Sequence, residues 1–409
     1  MNVARLVVPA LRWRDDTGFA HERARIEEAL ALGVGGFILF GGTATAVRDL
    51  TAELLLRTRH PILVAADLER GAGQQFEGLT QVPPPRALAS LERDDVIAWA
   101  GALTAREARS VGVNWVFAPV ADLDVLPDNP IVQTRAFGDD PQAVGRAVAT
   151  WVRACQAAGA LACAKHFPGH GRTAVDSHIA MPSVDASAGR LDAEDLVPFR
   201  AAVDAGVASL MTAHVAYPAL DPSGLPATLS ASILAGLRAS GFDGIVVTDA
   251  LIMAGALAGR SEAEAAVLAL GAGVDVLLYP ERPAEVVATV ERAVADGTLP
   301  AARITQSLAR VERALGLVRG DGDAPSGPAF GGADGVADLL LERPLARGAR
   351  PALAGPLELV LVDDDVGGPY PATPATTVAG TLASLGVPLG RGGSRVVLAF
   401  AEPRAWKGR

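Results

Sequence analysis

ALACAKHF, residues 160–167, is a short and nearly continuous apolar run that ends in a lysine and a histidine. Apolar residues on consecutive positions suit a parallel strand buried on both faces. Seven further runs share this form: VARLVVP (3–9), GGFILF (35–40), ILVAAD (62–67), NWVFAPV (114–120), ASLMTAH (208–214), GIVVTDA (244–250) and GVDVLLY (273–279). Alanine-rich stretches of helical periodicity separate them, such as PQAVGRAVATWVRACQAAG (141–159) and DAEDLVPFRAAVDAG (192–206). Eight alternating units predict an α/β fold, a (β/α)8 TIM-like barrel over residues 1–318. A doubly wound open sheet is the competing layout, weakened because no G-x-G-x-x-G follows the first run.

The 409-residue chain is half hydrophobic and 20% charged, which is the composition of a well-cored globular protein. Its formal net charge of −10 disfavours nucleic acid and anionic membrane as partners, since both need basic surface. No long apolar run opens the chain, and no window is long and apolar enough to span a bilayer. A soluble, cytoplasmic protein is the expectation. The two cysteines, Cys155 and Cys163, fit neither a zinc site nor a disulfide framework and read as buried small hydrophobes.

After residue 318 the composition changes. GDGDAPSGPAFGGADG (320–335) reads as linker, so residues 319–356 are assigned as a connection. Residues 357–409 carry two strand-like runs, LELVLVDDD and SRVVLAFAEP, around a helical TTVAGTLASLG. That is thin for an independent domain. The expectation is a partial C-terminal α/β domain, cut from a longer one.

Barrel enzymes place their chemistry at the C-terminal ends of the strands. The third run ends in Asp67, followed by Glu69. Arg135 lies in the loop after the fourth, which also holds Asp122 and Asp124; these two aspartates read as loop and turn residues. The fifth run ends in Lys165 and His166 and leads into CAKHFPGHGRTAVDSH (163–178), which contains three of the six histidines. The sixth ends in His214, expected to line the pocket or to sit satisfied beneath it. The seventh ends in Asp249, where capping of a following helix is the alternative reading. His170, after Pro168 and Gly169, reads as a holder of its loop through hydrogen bonds.

Two chemistries compete for these residues. Zinc needs three or four converging ligands, and Pro168 and Gly169 prevent the helix that would align His166 with His170. No metal and no cofactor is therefore expected. The other reading uses Asp176-x-His178. A carboxylate that hydrogen-bonds an imidazole fixes its tautomer and raises its pKa, which suits acid and base work near neutrality. Asp249 as a carboxylate nucleophile completes the logic of a retaining glycosidase.

K-H-F-P-G-H-G (165–171) followed by D-S-H (176–178), with V-T-D-A-L (247–251), resembles the β-N-acetylglucosaminidases of glycoside hydrolase family 3. The likeness runs along the barrel and includes NWVFAPVADL, TRAFGDDP, MTAHV and AGVDVLL. It implies Asp249 as nucleophile, His178 as general acid/base and Asp176 as its partner. It also implies Asp67, Arg135, Lys165 and His166 as ligands of the sugar, with a small β-N-acetylglucosaminide as substrate. Because a neutral histidine does not repel an incoming anion, a phosphorylase on the same residues is a nearby alternative, as is a β-glucosidase. A metal-dependent barrel hydrolase and a catalytically dead sugar-binding protein are the alternatives from other classes. One segment departs from the family. Its usual D-x-E-G-G-R-V-x-R here reads DLERGAGQQ (67–75), with Arg70 for the first glycine and Ala72 and Gln75 for the two arginines. Preference for an anionic, muropeptide-like partner sugar is the property this change touches. Oligomeric state is not legible in the sequence.

Overall fold

The computed structural model describes residues 2–127, 129, 131–173, 181–257 and 259–318. Beyond these it describes 335, 336, 339, 356, 358–363, 383, 387–390 and 394–400. The chain divides into two units, Met1–Leu340 and Leu341–Arg409.

The first unit is built on parallel strands: β1 (Val7–Val8), β2 (Ala10–Arg12), β3 (Gly36–Phe40), β4 (Leu63–Ala66), β5 (Trp115–Val116), β6 (Leu161–Phe167), β7 (Ser209–Thr212), β8 (Ile245–Thr248) and β9 (Leu277–Leu278). All but β2 lie inside one of the eight apolar runs, and β2 directly follows the first. Pro9, the last residue of the first run, separates β1 from β2, because its ring nitrogen has no hydrogen to donate, and strand continues past the run's end. Strands β2 to β8 form one curled, seven-stranded parallel sheet in sequential order. Next, β9 pairs in parallel with β1, with Val7 opposite Leu277, while Val276 bridges to Val247 of β8. Hydrogen bonds therefore also run from β8 through β9 to the first strand.

Sequence explains the packing of the helices between the strands. Pro141–Ala157 starts where Asp140 accepts the Ala143 N–H at 2.7 Å, with Pro141 in the first turn. It buries Val144, Val148, Trp151, Val152 and Cys155, one face at helical spacing, and this pins it to the sheet. Both cysteines are buried, and burial pushes the Cys163 thiol up to about 12. No described helix is long and apolar enough to cross a membrane.

The two ends of the strands differ chemically. At the N-terminal end of β9, fully buried Asp275 takes the Val246 N–H at 3.0 Å and hydrogen bonds from Arg238 (2.6 Å), Arg303 (2.5 Å) and Ser307 (2.8 Å). This end is locked by structural ion pairs. The opposite end gathers the residues considered below.

In the second unit, β10 (Glu358–Asp363) pairs in parallel with β11 (Arg395–Phe400), Glu358 opposite Arg395. The helix expected over 376–386 and the linker expected over 320–335 lie almost wholly outside the described residues.

Candidate active site

Asp67 directly follows β4, and Lys165 and His166 lie in the last three residues of β6. Asp249 directly follows β8, and His214 is two residues beyond β7. Arg135 closes the short 3-10 turn Gln133–Arg135 in the segment after β5. These six residues come from the same, C-terminal edge of the parallel strands. Asp176 and His178 lie outside the described residues.

Lys165 is 2% exposed, and its ammonium is held by two carboxylates: Asp67 Oδ1 at 2.6 Å and Glu69 Oε1 at 2.7 Å. A buried ammonium is tolerated only with such partners. Glu69 is buried as well, and it accepts a two-pronged pair of hydrogen bonds from Arg135, Nε to Oε2 and Nη2 to Oε1, both 2.8 Å. Burial alone would raise the Glu69 carboxyl, but Arg135 and Lys165 together hold it well below the usual carboxylate range. The sequence reading singled out Asp67, Arg135 and Lys165 but gave Glu69 no role. Glu69 joins the other two, and the D-x-E spacing was the signal that both carboxylates leave the strand together.

His166 stands on a second buried carboxylate. Asp122, fully buried, accepts from His166 Nδ1 at 2.7 Å, from the His166 backbone N–H at 3.1 Å and from the His170 backbone N–H at 2.6 Å. Its carboxyl, which burial would push up, is held below its ordinary value by the His166 ring. Assigning Asp122 to a loop and turn role was therefore incomplete. It anchors both ends of the H-F-P-G-H segment. A polar residue in NWVFAPVADL, beside an otherwise apolar run, was the available signal.

The glycines of K-H-F-P-G-H-G serve that anchoring. Gly169 has φ +131°, a conformation that favours glycine, and the Tyr217 hydroxyl donates to its carbonyl at 2.7 Å. At Gly171 a β-carbon would lie 1.9 Å from the Leu123 carbonyl oxygen, so only glycine lets the two backbones approach. His170 Nδ1 meets Thr173 Oγ1 at 2.7 Å, and Asn129 Nδ2 donates to the His170 carbonyl at 2.9 Å. Burial, with His166 next to it, pushes the His170 imidazole down to about 4, so the ring is neutral at pH 7.

The His166 and His170 rings meet edge to face with centroids 5.9 Å apart. Each ring's Nδ1 is occupied by Asp122 or Thr173. Among the described residues no three His, Cys, Asp or Glu side chains converge as a metal-binding set.

His214 is buried and bonded on both sides. Its Nδ1 meets Thr228 Oγ1 at 2.7 Å, and its Nε2 donates to the Ala250 carbonyl at 3.1 Å. Of the two expectations for this residue, the contacts match the satisfied one, with the ring bracing the peptide that follows Asp249. Asp249 itself is half-buried, and its Oδ1 accepts the Ala250 N–H at 2.7 Å. The next helix begins only at Ala254, so Asp249 does not cap it.

A barrel-like parallel sheet with polar and charged residues gathered at its C-terminal edge is the ground plan of a barrel enzyme, and comparison with known proteins gives the family. Residues 3–314 match the glycosyl hydrolase family 3 N-terminal domain. The chain belongs to glycoside hydrolase family 3 and is a glycoside hydrolase. It is 39% identical to the beta-hexosaminidase of Chromobacterium violaceum over 287 residues, 66% of this chain and 78% of that protein. It is 33% identical to a beta-N-acetylglucosaminidase/beta-glucosidase of Cellulomonas fimi, covering 80% of this chain and 59% of that one. Among solved structures, the family 3 beta-N-acetylglucosaminidase of Paenibacillus sp. str. FPU-7 superposes with a TM-score of 0.84 at 30% identity, over 97% of this chain and 79% of that one.

Proposed function

We propose that this glycoside hydrolase is an exo-acting, retaining β-N-acetylglucosaminidase, with a place in cell-wall sugar recycling. The single observation that carries the chemistry is the shared edge: Asp249 after β8 stands on the same rim as the Asp67–Lys165–Glu69–Arg135 network. Beta-hexosaminidase relatives at 39% and 37% identity support the sugar. In the first step an Asp249 carboxylate oxygen attacks the anomeric carbon. The bond to the leaving oxygen breaks as His178 protonates that oxygen. In the second step His178 takes a proton from water, whose oxygen displaces Asp249 and restores the original anomeric configuration. Asp176 orients His178. Asp67 and His166 grip sugar hydroxyls, and Lys165 and Arg135 set the charge around them. We read the sheet as a closed (β/α)8-type barrel, on the pairing of β9 with β1 and the bridge from the preceding Val276 to Val247 of β8.

Release of an aryl leaving group from matched β-N-acetylglucosaminide and β-glucoside substrates tests the proposal, run with and without phosphate. Preference for the N-acetyl sugar that is independent of phosphate is the expected result. A sugar phosphate as product makes the enzyme a phosphorylase. Full activity of Asp249→Ala, with no labelling of Asp249 by an activated 2-fluoro sugar, overturns the mechanism.

A further inference from the structure

One basic group at the catalytic edge is outside the network described above. Arg12 is the last residue of β2 and lies in register with Phe40, the last residue of β3. Its guanidinium carbon sits 4.2 Å from the centre of the Phe40 ring and 5.1 Å from that of Tyr279, and its Nε donates to the Tyr279 hydroxyl at 2.8 Å. The two rings pack with centroids 5.8 Å apart. Stacking and the Nε bond fix the plane of the guanidinium. Glu22 accepts the Arg12 backbone N–H, not the side chain. Among the described residues no carboxylate forms an ion pair with Arg12, which is half-buried. A fixed, half-buried fork of N–H donors without a carboxylate is suited to bidentate capture of an oxyanion.

Position on the rim says which part of a substrate it meets. The β3–β4 register carried two residues on sets Phe40 level with Asp67, so Arg12 stands two strands from Asp67. In the other direction, Tyr279 N–H bonds the Val8 carbonyl and Leu251 N–H the Leu278 carbonyl, so Arg12 is also two strands from Asp249. At about 4.8 Å per strand, the separation across the strands is about 10 Å in each case; Arg12 is level with Asp67 but lies four residues further along the chain than Val8, the residue level with Leu278 and Asp249. Arg12 is thus the cation between the candidate nucleophile and the sugar-gripping carboxylate, on the arc away from Lys165. It stands further toward the open, C-terminal side of the strands than Asp249, the side from which a group attached to the cleaved sugar would project.

We infer that Arg12, stacked on Phe40 and braced by Tyr279, is a specificity-determining residue that reads an oxyanion on the leaving-group side of the substrate. The oxyanion is a carboxylate carried by the aglycone or a free phosphate; both present the same paired oxygens to the fork. This inference rests on the proposed β-N-acetylglucosaminidase reading.

Calorimetric binding of two unreactive thioglycosides, phenyl and 4-carboxyphenyl β-N-acetylglucosaminide, tests it without needing turnover. The wild-type protein is expected to bind the carboxyphenyl compound at least tenfold tighter, and Arg12→Met to reduce that ratio to near one. Arg12→Lys keeps a charge and loses the fork, and should retain a few-fold preference. Inorganic phosphate titrated alone separates the sources: binding that Arg12→Met abolishes assigns the site to free phosphate, and its absence beside a carboxylate preference assigns it to the aglycone. Equal binding of both thioglycosides by wild type and Arg12→Met, without phosphate binding, overturns the inference while leaving the proposed function intact. Binding of neither thioglycoside by the wild-type protein overturns the proposed function, and the inference with it.

Discussion

Glu69 and Arg135 are joined by two parallel hydrogen bonds of 2.8 Å each, and the same carboxylate holds Lys165 at 2.7 Å. The arginine's fork is therefore filled by protein. Two cations on one buried carboxylate form a unit in which each member fixes the others, and Lys165 passes the arrangement on to Asp67 at 2.6 Å. Replacing Glu69 by Gln removes the charge that balances both cations. Breaking a buried pair of this kind costs about 3–5 kcal/mol. The expected outcome for Glu69→Gln is a loss of that order in denaturant unfolding. A fall in kcat/KM of roughly a hundredfold should accompany it, from displacement of Asp67 and Lys165.

His170 makes stability depend on pH. Its folded-state imidazole is pushed down to about 4 from an ordinary value of 6.5. Between these values the unfolded chain binds a proton that the native protein refuses, so stability falls as pH drops from 6.5 towards 4. The full contribution over that window is about 3 kcal/mol. Unfolding free energies of the wild type and of His170→Gln, measured at pH 7, 5.5 and 4.5, should show a shallower decline in the variant. Parallel declines would mean that other groups carry the acid sensitivity.

How much of this was legible in the sequence follows from what each feature depends on. Strands buried on both faces must be apolar at every position, so β6 and β8 stand out as continuous runs, and the polar residue near the end of each run marks the C-terminal edge of the sheet. That Asp67, Lys165, His166 and Asp249 gather on one edge was readable for that reason. Glu69 and Asp122 were not, because their roles are tertiary. Glu69 is 66 residues from Arg135, and Asp122 is 44 from His166. No periodicity records such pairs. His214 could be placed but not interpreted, since the contact that decides it is a backbone carbonyl 36 residues on. Pro9 was visible, but its splitting of the first strand depends on which neighbour needs the missing N–H.

His214 offers a test of positioning as distinct from contact. Its Nε2 bonds the carbonyl of Ala250, whose own N–H donates to Asp249 Oδ1. Loss of the ring should let the Asp249 carboxylate drift without removing a sugar ligand. His214→Ala is expected to lower kcat roughly tenfold to a hundredfold with KM little changed. A rise in KM at constant kcat would instead place the ring against substrate. Slower labelling of Asp249 by an activated 2-fluoro sugar in this variant would report the drift directly.

Asp122 separates charge from shape. Its two oxygens take two backbone N–H groups and one imidazole nitrogen, all from the His166–His170 segment. Asp122→Ala leaves those three donors buried with no acceptor, and each unsatisfied group costs about 1–3 kcal/mol. The protein is expected to lose about 3–5 kcal/mol, close to the whole margin of many domains. Asp122→Asn keeps one acceptor oxygen in place for the backbone but puts an NH2 group where the other oxygen stood. It should unfold at a temperature between those of Asp122→Ala and wild type. Its activity should fall further than its stability, because the amide cannot hold His166 Nδ1 and both backbone N–H groups at once. If Asn and Ala prove equally destabilising, the negative charge facing His166 is what secures the segment, and the count of hydrogen bonds is secondary.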